Sequence, residues 1–485
     1  MATGDETRVG SRRELAAVVA LAVTGVALRL SQVGLYSAYW PDETHQYLEQ
    51  AFRLLTGHGL VPWEYVEGMR SRLFPLILAG PMAIGRALDG AEGGLIGARG
   101  LVFLFALAML PAAWMIGRVT SRAHGFAALG AVALWFEVIT WSAHVLSETV
   151  SITCFLVAAA LLMTRTARGP TLAAGALLAL GAIMRVQYAP AFGVFAVLVL
   201  RTDWRRWGAL MVGAVPVLAA SAAVDLAFGQ WPFEWIYQNY AQTIAGGRGA
   251  LFGEQPVLWY FGEIWSHWLW AAAFVLIGVA RAPAADRPLI ATAAANIAVH
   301  MTIGHKEYRY IALSLTLFAM VGAIGWVTLL EQARSEAVRR SAAAIVVAAT
   351  ALLSLSLALR GPEDLAMVRR STMGKLQNVA GRDPALCGMA AAGRDIGQIT
   401  HHPMDRQVTL YLFARDEMGA VNGPGRRAYN MVIAPPGLAL PGYRRGLCNG
   451  RSEHEYCLFE RPGQCAPAPE IADREVQKFR RDERL

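Results

Sequence analysis

The chain has 485 residues, of which 55% are hydrophobic and 16% charged, with a mean hydropathy of +0.37 and a formal net charge of +8. This apolar content argues against a soluble globular protein and predicts a polytopic α-helical membrane protein. The basic residues occur in short groups between apolar runs rather than in one stripe, which argues against nucleic-acid binding. The lysines are Lys306, Lys375 and Lys478 among 44 basic residues, and this arginine bias favours a GC-rich bacterial source.

The first apolar run, at residues 15–36, follows Arg8, Arg12 and Arg13, and we expect it to remain as a membrane anchor. Arginines concentrate on the cytoplasmic side of spans, so the loop after this run is predicted to face outward. Later arginine groups at 118–122, 165–168, 201–206, 281–287 and 334–340 are predicted to be cytoplasmic, so an even number of crossings must separate them. This parity makes residues 73–88 an interfacial helix rather than a span, and the amphipathic stretch 44–55 another.

The predicted spans number about eleven, because each must be roughly 20 apolar residues long and the charge parity must hold. They are residues 15–36, 94–117, 125–141, 145–163, 172–184, 188–200, 207–228, 259–279, 289–303, 311–330 and 342–359. The pair 172–184 and 188–200 is shorter than usual. With this count the tail after residue 360 lies outside the cytoplasm.

The tail, residues 361–485, is predicted to be a small extracytoplasmic α+β domain following a helical membrane domain at 1–360. The segments "RQVTLYLFA" and "YNMVIAP" have the β-branched and aromatic content of strands. Cys387, Cys448, Cys457 and Cys465 fit two disulfides in any of three pairings if the tail is outside, or free thiols if it is cytoplasmic. Its role is open between binding an acceptor and packing on the outer face.

Asp42 and Glu43 open the amphipathic stretch of the first loop, after Pro41. An acid at a helix start is favoured by capping and by the helix dipole, which explains one of these carboxylates. Two adjacent acids in an aromatic-rich loop over a membrane favour a catalytic or binding role over simple capping. A carboxylate at such a position can act as a general base toward a hydroxyl group.

Several other ionisable residues are predicted at the same membrane face. "HKEYR", residues 305–309, is either an interfacial cluster of snorkelling side chains or a phosphate site. Snorkelling is the simpler explanation of Arg185, and His144 and Glu148 have the i, i+4 spacing of a helical pair. His401, His402 and Asp405 form a weak metal pattern, and we predict no metal and no cofactor.

At this point the sequence resembles a known family. "PDETHQYLEQAFRLLTGHGLVPWEYVEGMRSRLFPLI", "LFGEQPVLWYF" and "HKEYRY" are similar, in this order, to three motifs of glycosyltransferase family 22. These enzymes are lipid-phosphate-mannose-dependent mannosyltransferases of the Alg9 and GPI-mannosyltransferase type. The resemblance covers the membrane part and implies a GT-C fold, with interfacial helices in the first outer loop.

The resemblance also implies roles for individual residues. Asp42 matches the catalytic base and Glu43 its neighbour. Substrate binding is expected of Arg185 and of the other matched residues. These are Trp63, Glu64, Arg70, Glu148, His305, Lys306, Glu307 and Arg309.

We therefore expect a membrane glycosyltransferase, in a bacterial inner membrane with its site facing the periplasm. Its expected partners are a polyprenyl-phosphate sugar donor, a glycan or glycolipid acceptor and the lipid bilayer, with no nucleic acid. Mannose is the expected sugar, and galactose and arabinose stay open. The alternative is a transporter or lipid-carrier flippase, which predicts structural repeats and discontinuous helices. No fixed-period repeat is present in the sequence.

Overall fold

The computed structural model describes residues 4–36, 40–360, 373–394, 398–450 and 455–476. The chain forms two compact units. The first comprises Met1–Gln32, Phe103–Ala143 and Ser147–Ala366, and the second comprises Val33–Val102, His144–Leu146 and Met367–Leu485. The predicted domain division at 360/361 adjoins residues 361–372, which lie outside the described residues, and it stays a prediction.

Helices predominate up to residue 360. They are α1 (Gly4–Gln32), a π-helix (Glu43–Leu48) continued by α2 (Glu49–Thr56), α3 (Trp63–Val66), α4 (Leu73–Ala106), α5 (Met109–Gly117), α6 (Arg122–Leu134), α7 (Phe136–Ser142), α8 (Ser147–Thr164), α9 (Arg168–Met184), α10 (Ala189–Leu200), α11 (Trp204–Ala227), α12 (Glu234–Asn239), α13 (Trp259–Trp268), α14 (Trp270–Ala280), α15 (Arg287–Met301), α16 (Ala312–Glu331) and α17 (Glu336–Arg360). Among the described residues, 6 helices are long and apolar enough to span a membrane, or up to 8 if each bent pair is one span. The predicted count of about eleven is therefore unconfirmed, since α9, α10 and α15 are shorter.

Helix α4 is interrupted after its first half. Asp89 and Gly90 leave helical geometry, and Gly90 has a φ of 55°. The two halves then pack against each other so closely that a Cβ on Gly85 would lie 1.9 Å from the carbonyl oxygen of Gly93. The stretch 73–88 thus forms a helical arm separate from the second half of α4, and glycine permits the close approach. Its predicted position at the membrane interface stays a prediction.

Two apolar helix pairs are sharply bent. Helices α6 and α7 meet at 60° around Trp135, and α13 and α14 meet at 108° around Leu269, whose φ is 48°. At the first bend the freed carbonyl oxygens of Val132 and Ala133 accept hydrogen bonds from Arg29, at 2.6 and 3.3 Å. Arg29 is 0% exposed. This buried arginine therefore satisfies backbone groups that the broken helix leaves unpaired in an apolar setting.

The C-terminal part of the second unit is a small α+β domain. Helix α18 (Met373–Arg382) precedes a five-stranded sheet of order β2-β1-β3-β5-β4. The strands are β1 (Met389–Ala392), β2 (Leu410–Phe413), β3 (Met431–Ala434), β4 (Arg444–Asn449) and β5 (Tyr456–Glu460). Strands β2 and β3 lie within the two segments predicted from composition, and both pair in parallel with β1.

Successive residues of these strands enter two different apolar clusters. Met389 and Ala391 pack on one side of the sheet with Leu376 of α18, whereas Ala390 and Ala392 pack on the other. Such alternation is the expected period of a strand whose two faces are both covered. The first cluster also contains Leu60 of the first loop, so that loop is part of the domain core.

The four tail cysteines form two disulfides. Cys387 bonds to Cys465, and Cys448 bonds to Cys457 across the β4–β5 pair. Cys154 is a buried free thiol in α8. The pairing selects one of the three arrangements that the sequence left open.

Candidate active site

The predicted site residues fall into two sets, one in each unit. Asp42, Glu43, Trp63, Glu64 and Arg70 lie in the second unit. The first unit contains the others, namely Glu148, Arg185, His305, Lys306, Glu307 and Arg309.

The adjacent acids of the first loop have different surroundings. Glu43 is 0% exposed and accepts hydrogen bonds from Arg99, from Nδ1 of His144 at 2.9 Å and from the amide of Val145 at 2.8 Å. The Arg99 Nη1 to Glu43 Oε1 distance is 2.6 Å. Asp42 is half-buried and accepts a hydrogen bond from Gln46 at 3.0 Å. Glu43 is thus a fully buried carboxylate held by three partners, whereas Asp42 beside it is half-buried.

The ionisation of Glu43 follows from these contacts. Burial alone raises the pKa of a carboxyl group. At Glu43 the opposing effect of Arg99 and His144, with the Val145 amide, lowers the pKa to about 2. Glu43 therefore carries a negative charge at neutral pH, and this charge neutralises the buried Arg99.

Gln46 connects Asp42 to the second motif of the loop. Its side-chain NH₂ group donates to Asp42 and to Glu64, the latter at 2.8 Å, while its backbone carbonyl oxygen accepts from the Tyr65 hydroxyl at 2.8 Å. Trp63 and Glu64 are buried in α3, and Arg70 is half-buried beyond this helix. Sequence reasoning missed Gln46, although its i+4 spacing from Asp42 marks it as a neighbour on the same helical face.

In the first unit, Glu148 binds two arginines. Arg185 and Arg309 approach the same oxygen of Glu148 at 3.1 and 3.4 Å, and all three side chains are buried. The ring of Tyr310 lies under both guanidinium groups, at 4.5 and 5.5 Å from its centroid. Arg185 therefore does not snorkel. The predicted helical pair with His144 is also wrong, because α8 begins at Ser147 and His144 binds Glu43 instead.

The "HKEYR" segment orders its own charges. Glu307 accepts from Arg309 at 2.6 Å, from Tyr310 at 2.7 Å and from His305 at 3.2 Å. Burial opposes ionisation of Glu307, but Arg309 and these donors hold its pKa well below the usual range. The hydrogen bond to Glu307 raises the pKa of His305 despite partial burial.

Lys306 joins this segment to the preceding loop. Its ammonium group donates to the carbonyl oxygens of Gln255, at 3.1 Å, and Ile303. Nδ1 of His305 lies 3.1 Å from the carbonyl oxygen of Gly253. The motifs "LFGEQPVLWYF" and "HKEYRY" are thus in direct contact, and the buried Lys306 is not a snorkelling side chain.

A further buried acid, Glu137, was missed by the sequence analysis. It is 0% exposed and accepts hydrogen bonds from the indole nitrogens of Trp135 and Trp268, at 3.1 and 2.9 Å, and from Tyr308 at 2.5 Å. Tyr308 also stacks on His267 with centroids 3.9 Å apart. Glu137 therefore joins the two bent helix pairs to the "HKEYR" segment. An acid within an apolar run was the signal for it.

His401 and His402, weighed as metal ligands, both contact the buried Glu49. Glu49 lies in the stretch 44–55 that was predicted to be amphipathic, and it is 0% exposed. The polar side of α2 is therefore covered by protein in the second unit.

The chain is similar in sequence to known proteins. The GPI mannosyltransferase 3 of Drosophila melanogaster is 45% identical over 56 residues, which cover 11% of this chain and 10% of that protein. The GPI alpha-1,2-mannosyltransferase 3 of Bos taurus is 24% identical over 301 residues, covering 59% of this chain. The matched regions span about a tenth and about half of these relatives, at 10% and 55% of their lengths.

Among solved structures, ArnT from Cupriavidus metallidurans bound to undecaprenyl phosphate matches with a TM-score of 0.55 and 11% identity, covering 93% of this chain and 99% of that one. Its apo structure matches with the same score and 12% identity. This likeness supports the predicted GT-C fold. The profile of the Alg9-like mannosyltransferase family matches residues 20–381, and the chain belongs to this family.

Proposed function

We propose that the protein transfers mannose from a polyprenyl-phosphate carrier to an acceptor hydroxyl of a glycan or glycolipid at the extracytoplasmic face of the membrane. The observation that carries the proposal is the difference in burial and hydrogen bonding between the adjacent acids Asp42 and Glu43. A fully buried, ion-paired acid stands next to a half-buried one at the start of a helix. Family membership supports the sugar, and the undecaprenyl phosphate bound by ArnT supports the class of carrier.

The proposed reaction is a single displacement. Asp42 accepts the proton of the acceptor hydroxyl as the hydroxyl oxygen forms a bond to the anomeric carbon. The bond from that carbon to the phosphate oxygen breaks, and polyprenyl phosphate leaves with the electron pair. One displacement at one carbon inverts the configuration of the sugar.

The leaving phosphate needs positive charge beside it. Arg185 and Arg309 supply two planar guanidinium groups, and Glu148 holds both in one place. Arginine suits this task because its fork of donors matches phosphate oxygens. Trp63, Glu64 and Arg70 are proposed to bind substrate beside Asp42, while His305, Lys306 and Glu307 support the arginines.

The side of the membrane is proposed from the tail. Two disulfides form and persist in an oxidising compartment, so the tail fits the extracytoplasmic side. The curated relatives are animal proteins and do not support the bacterial inner membrane. The extracytoplasmic side of the membrane is therefore proposed for the tail, and no organism is assigned.

The test is transfer from synthetic polyprenyl-phosphate-[³H]mannose by the purified protein in detergent, with extracted glycolipids as acceptors. The wild type should release polyprenyl phosphate and label an acceptor, and Asp42→Asn should lower the rate by at least about 100-fold. Glu67→Gln, an acid at the end of α3, is the matched control and should keep wild-type activity. Full activity of Asp42→Asn would remove Asp42 from the reaction.

The same assay with polyprenyl-phosphate galactose and arabinose distinguishes the sugars that the sequence left open. Faster turnover with either one would overturn the assignment of mannose while keeping the reaction class.

The transporter alternative keeps one supporting observation. The bent pairs α6/α7 and α13/α14 are discontinuous helices of the kind that transporters use. Here Glu137 binds Trp135 at one bend and Trp268 beside the other. Each bend is therefore occupied by protein side chains. Translocation of a labelled lipid carrier in liposomes without any covalent transfer would favour the alternative.

A further inference from the structure

Glu49 has more hydrogen-bond donors than a single buried side chain ordinarily collects. Its carboxylate accepts from the backbone amides of His401 and His402, and from Nδ1 of both imidazoles at 3.0 and 3.2 Å. The amide of Leu60 donates to it at 3.0 Å. Helix α2 of the first loop is thus bound to a segment more than 350 residues later in the chain.

These contacts make burial of the charge acceptable. A buried carboxylate is destabilising unless its oxygens are hydrogen-bonded. Burial raises the pKa of Glu49, but the donors from His401 and His402 hold it well below the usual value. Burial lowers the pKa of His402, whose neutral imidazole still donates from Nδ1. Both oxygens of the Glu49 carboxylate therefore have hydrogen-bond donors, supplied by His401 and His402.

The histidine segment is itself held from two sides. Within the C-terminal domain, Gln377 donates to the carbonyl of Thr400, and Asn378 donates to that of Pro403 at 3.0 Å. From the helical arm, Arg86 donates to the carbonyl oxygen of His402 at 3.3 Å. These hydrogen bonds fix the position of residues 400–403.

The contact between Glu49 and the histidine segment lies close to Asp42 and Glu43. Glu49 is seven residues after Asp42, and the π-helix Glu43–Leu48 connects the two positions without a break. A small cavity lies beside this helix, lined by Thr44 from the first loop, by Arg99 from the second half of α4, and by Gln398 and His402 from the tail. Arg99 is also the partner of Glu43. A shift of the tail segment would move the environment of both acids.

We propose that Glu49, His401 and His402 are positioning residues through which the C-terminal domain holds the first-loop helix, and with it Asp42, in its working place. The tail then acts in the reaction without touching the sugar. This inference rests on the proposed function for its kinetic part only. Its structural part stands on contacts within the second unit.

The test compares two double variants of the full-length protein. His401→Ala/His402→Ala removes both side-chain donors, whereas His401→Asn/His402→Asn keeps an N–H group near the position of Nδ1. The alanine pair should lower kcat by about 10- to 100-fold, as expected for a misplaced catalytic group. KM for the donor should change less than threefold, and the asparagine pair should recover most of kcat.

Hydrogen exchange gives a readout that does not depend on the assay. The peptide covering residues 43–56 should exchange at least about 10-fold faster in the alanine pair than in the wild type. His58→Ala, an exposed histidine just after α2, and Arg444→Ala, an exposed arginine of β4, are matched controls and should change neither readout.

Unchanged exchange of residues 43–56 in a folded alanine pair would overturn the inference, whatever the activity. Faster exchange with normal kcat would also overturn it, because the helix would then not set the catalytic rate. If the alanine pair does not fold, Glu49→Gln replaces it, since the amide keeps one acceptor oxygen and presents its NH₂ group to opposing donors. Inactivity of the wild type with every donor sugar would count against the proposed function and leave the exchange result standing.

Discussion

Arg99 and Glu43 form a buried ion pair with Nη1 and Oε1 2.6 Å apart and side-chain exposures of 4% and 0%. The pair joins the second half of α4 to the start of the first-loop helix, next to Asp42. Two opposite charges removed from water depend on each other, because either one alone would be left without compensation. The geometry of the proposed catalytic acid thus depends on an arginine 56 residues later in the chain.

Arg99→Met should be strongly destabilising, because it leaves Glu43 buried without its main partner. The expected loss is about 3–5 kcal/mol in the free energy of unfolding. Thermal unfolding of the purified protein in detergent measures it. The double variant Arg99→Met/Glu43→Gln should recover part of the loss, and a double variant as unstable as the sum of the single ones would contradict a direct pair.

The low pKa of Glu43 predicts a specific dependence on pH. Because the folded-state pKa of about 2 lies below the ordinary 4.5, ionised Glu43 contributes stability that is fully present above about pH 4.5 and is lost as the pH falls toward 2. The wild type should lose thermal stability more steeply than Glu43→Gln between pH 5 and pH 3. Parallel profiles for the two proteins would show that Glu43 is not stabilised as a carboxylate.

Arg185→Gln should weaken donor binding while leaving the fold intact, since Arg309 still neutralises Glu148. Loss of a charge-assisted hydrogen bond to phosphate costs about 1.5–3 kcal/mol, or roughly 10- to 150-fold in KM for the donor. Steady-state kinetics with polyprenyl-phosphate mannose measure the change. Arg281→Gln, an exposed arginine at the end of α14, should behave like the wild type.

Tyr308→Phe should destabilise the first unit, because it removes the donor to one oxygen of the buried Glu137 while keeping the ring on His267. An unsatisfied buried acceptor costs about 1–3 kcal/mol. Tyr237→Phe is the matched control, since Tyr237 is 67% exposed. Equal melting temperatures for the two variants would show that the contact with Glu137 has no energetic weight.

The two disulfides should differ in their contribution to stability. Cys387–Cys465 closes a loop of 78 residues and Cys448–Cys457 one of 9. Loop-closure entropy predicts about 4.5 kcal/mol for the first and about 2.6 kcal/mol for the second. Paired Cys→Ser variants, compared by thermal unfolding, test this order. The reverse order would indicate that the longer loop is already restricted in the unfolded chain.

Much of the architecture was predictable from the sequence. The helices α8, α11, α16 and α17, and strands β2 and β3, follow from runs of apolar or β-branched residues, since such runs can be recognised from neighbouring residues alone. The first-loop helix was also predicted. The breaks at Trp135 and Leu269 were not, because both lie within apolar runs that look continuous in hydropathy.

The partners of the charged residues could not be predicted in the same way. Sequence reasoning placed Arg185 at a lipid surface and paired His144 with Glu148, whereas the structure pairs Arg185 with Glu148 and His144 with Glu43. A snorkelling cation and a buried cation look alike in a sequence, because both can stand near the end of an apolar run. Only the presence of a carboxylate from a distant segment distinguishes them.

Hydropathy and motif spacing are properties of contiguous residues, so the membrane class, the family and the motifs that carry the acids and arginines were recognisable before folding was considered. The folded chain, in contrast, buries Glu43 while leaving Asp42 half-buried, and it brings His401 and His402 to Glu49. A hydrogen bond requires two atoms within about 3 Å of each other, and segments hundreds of residues apart reach such positions only when the chain folds.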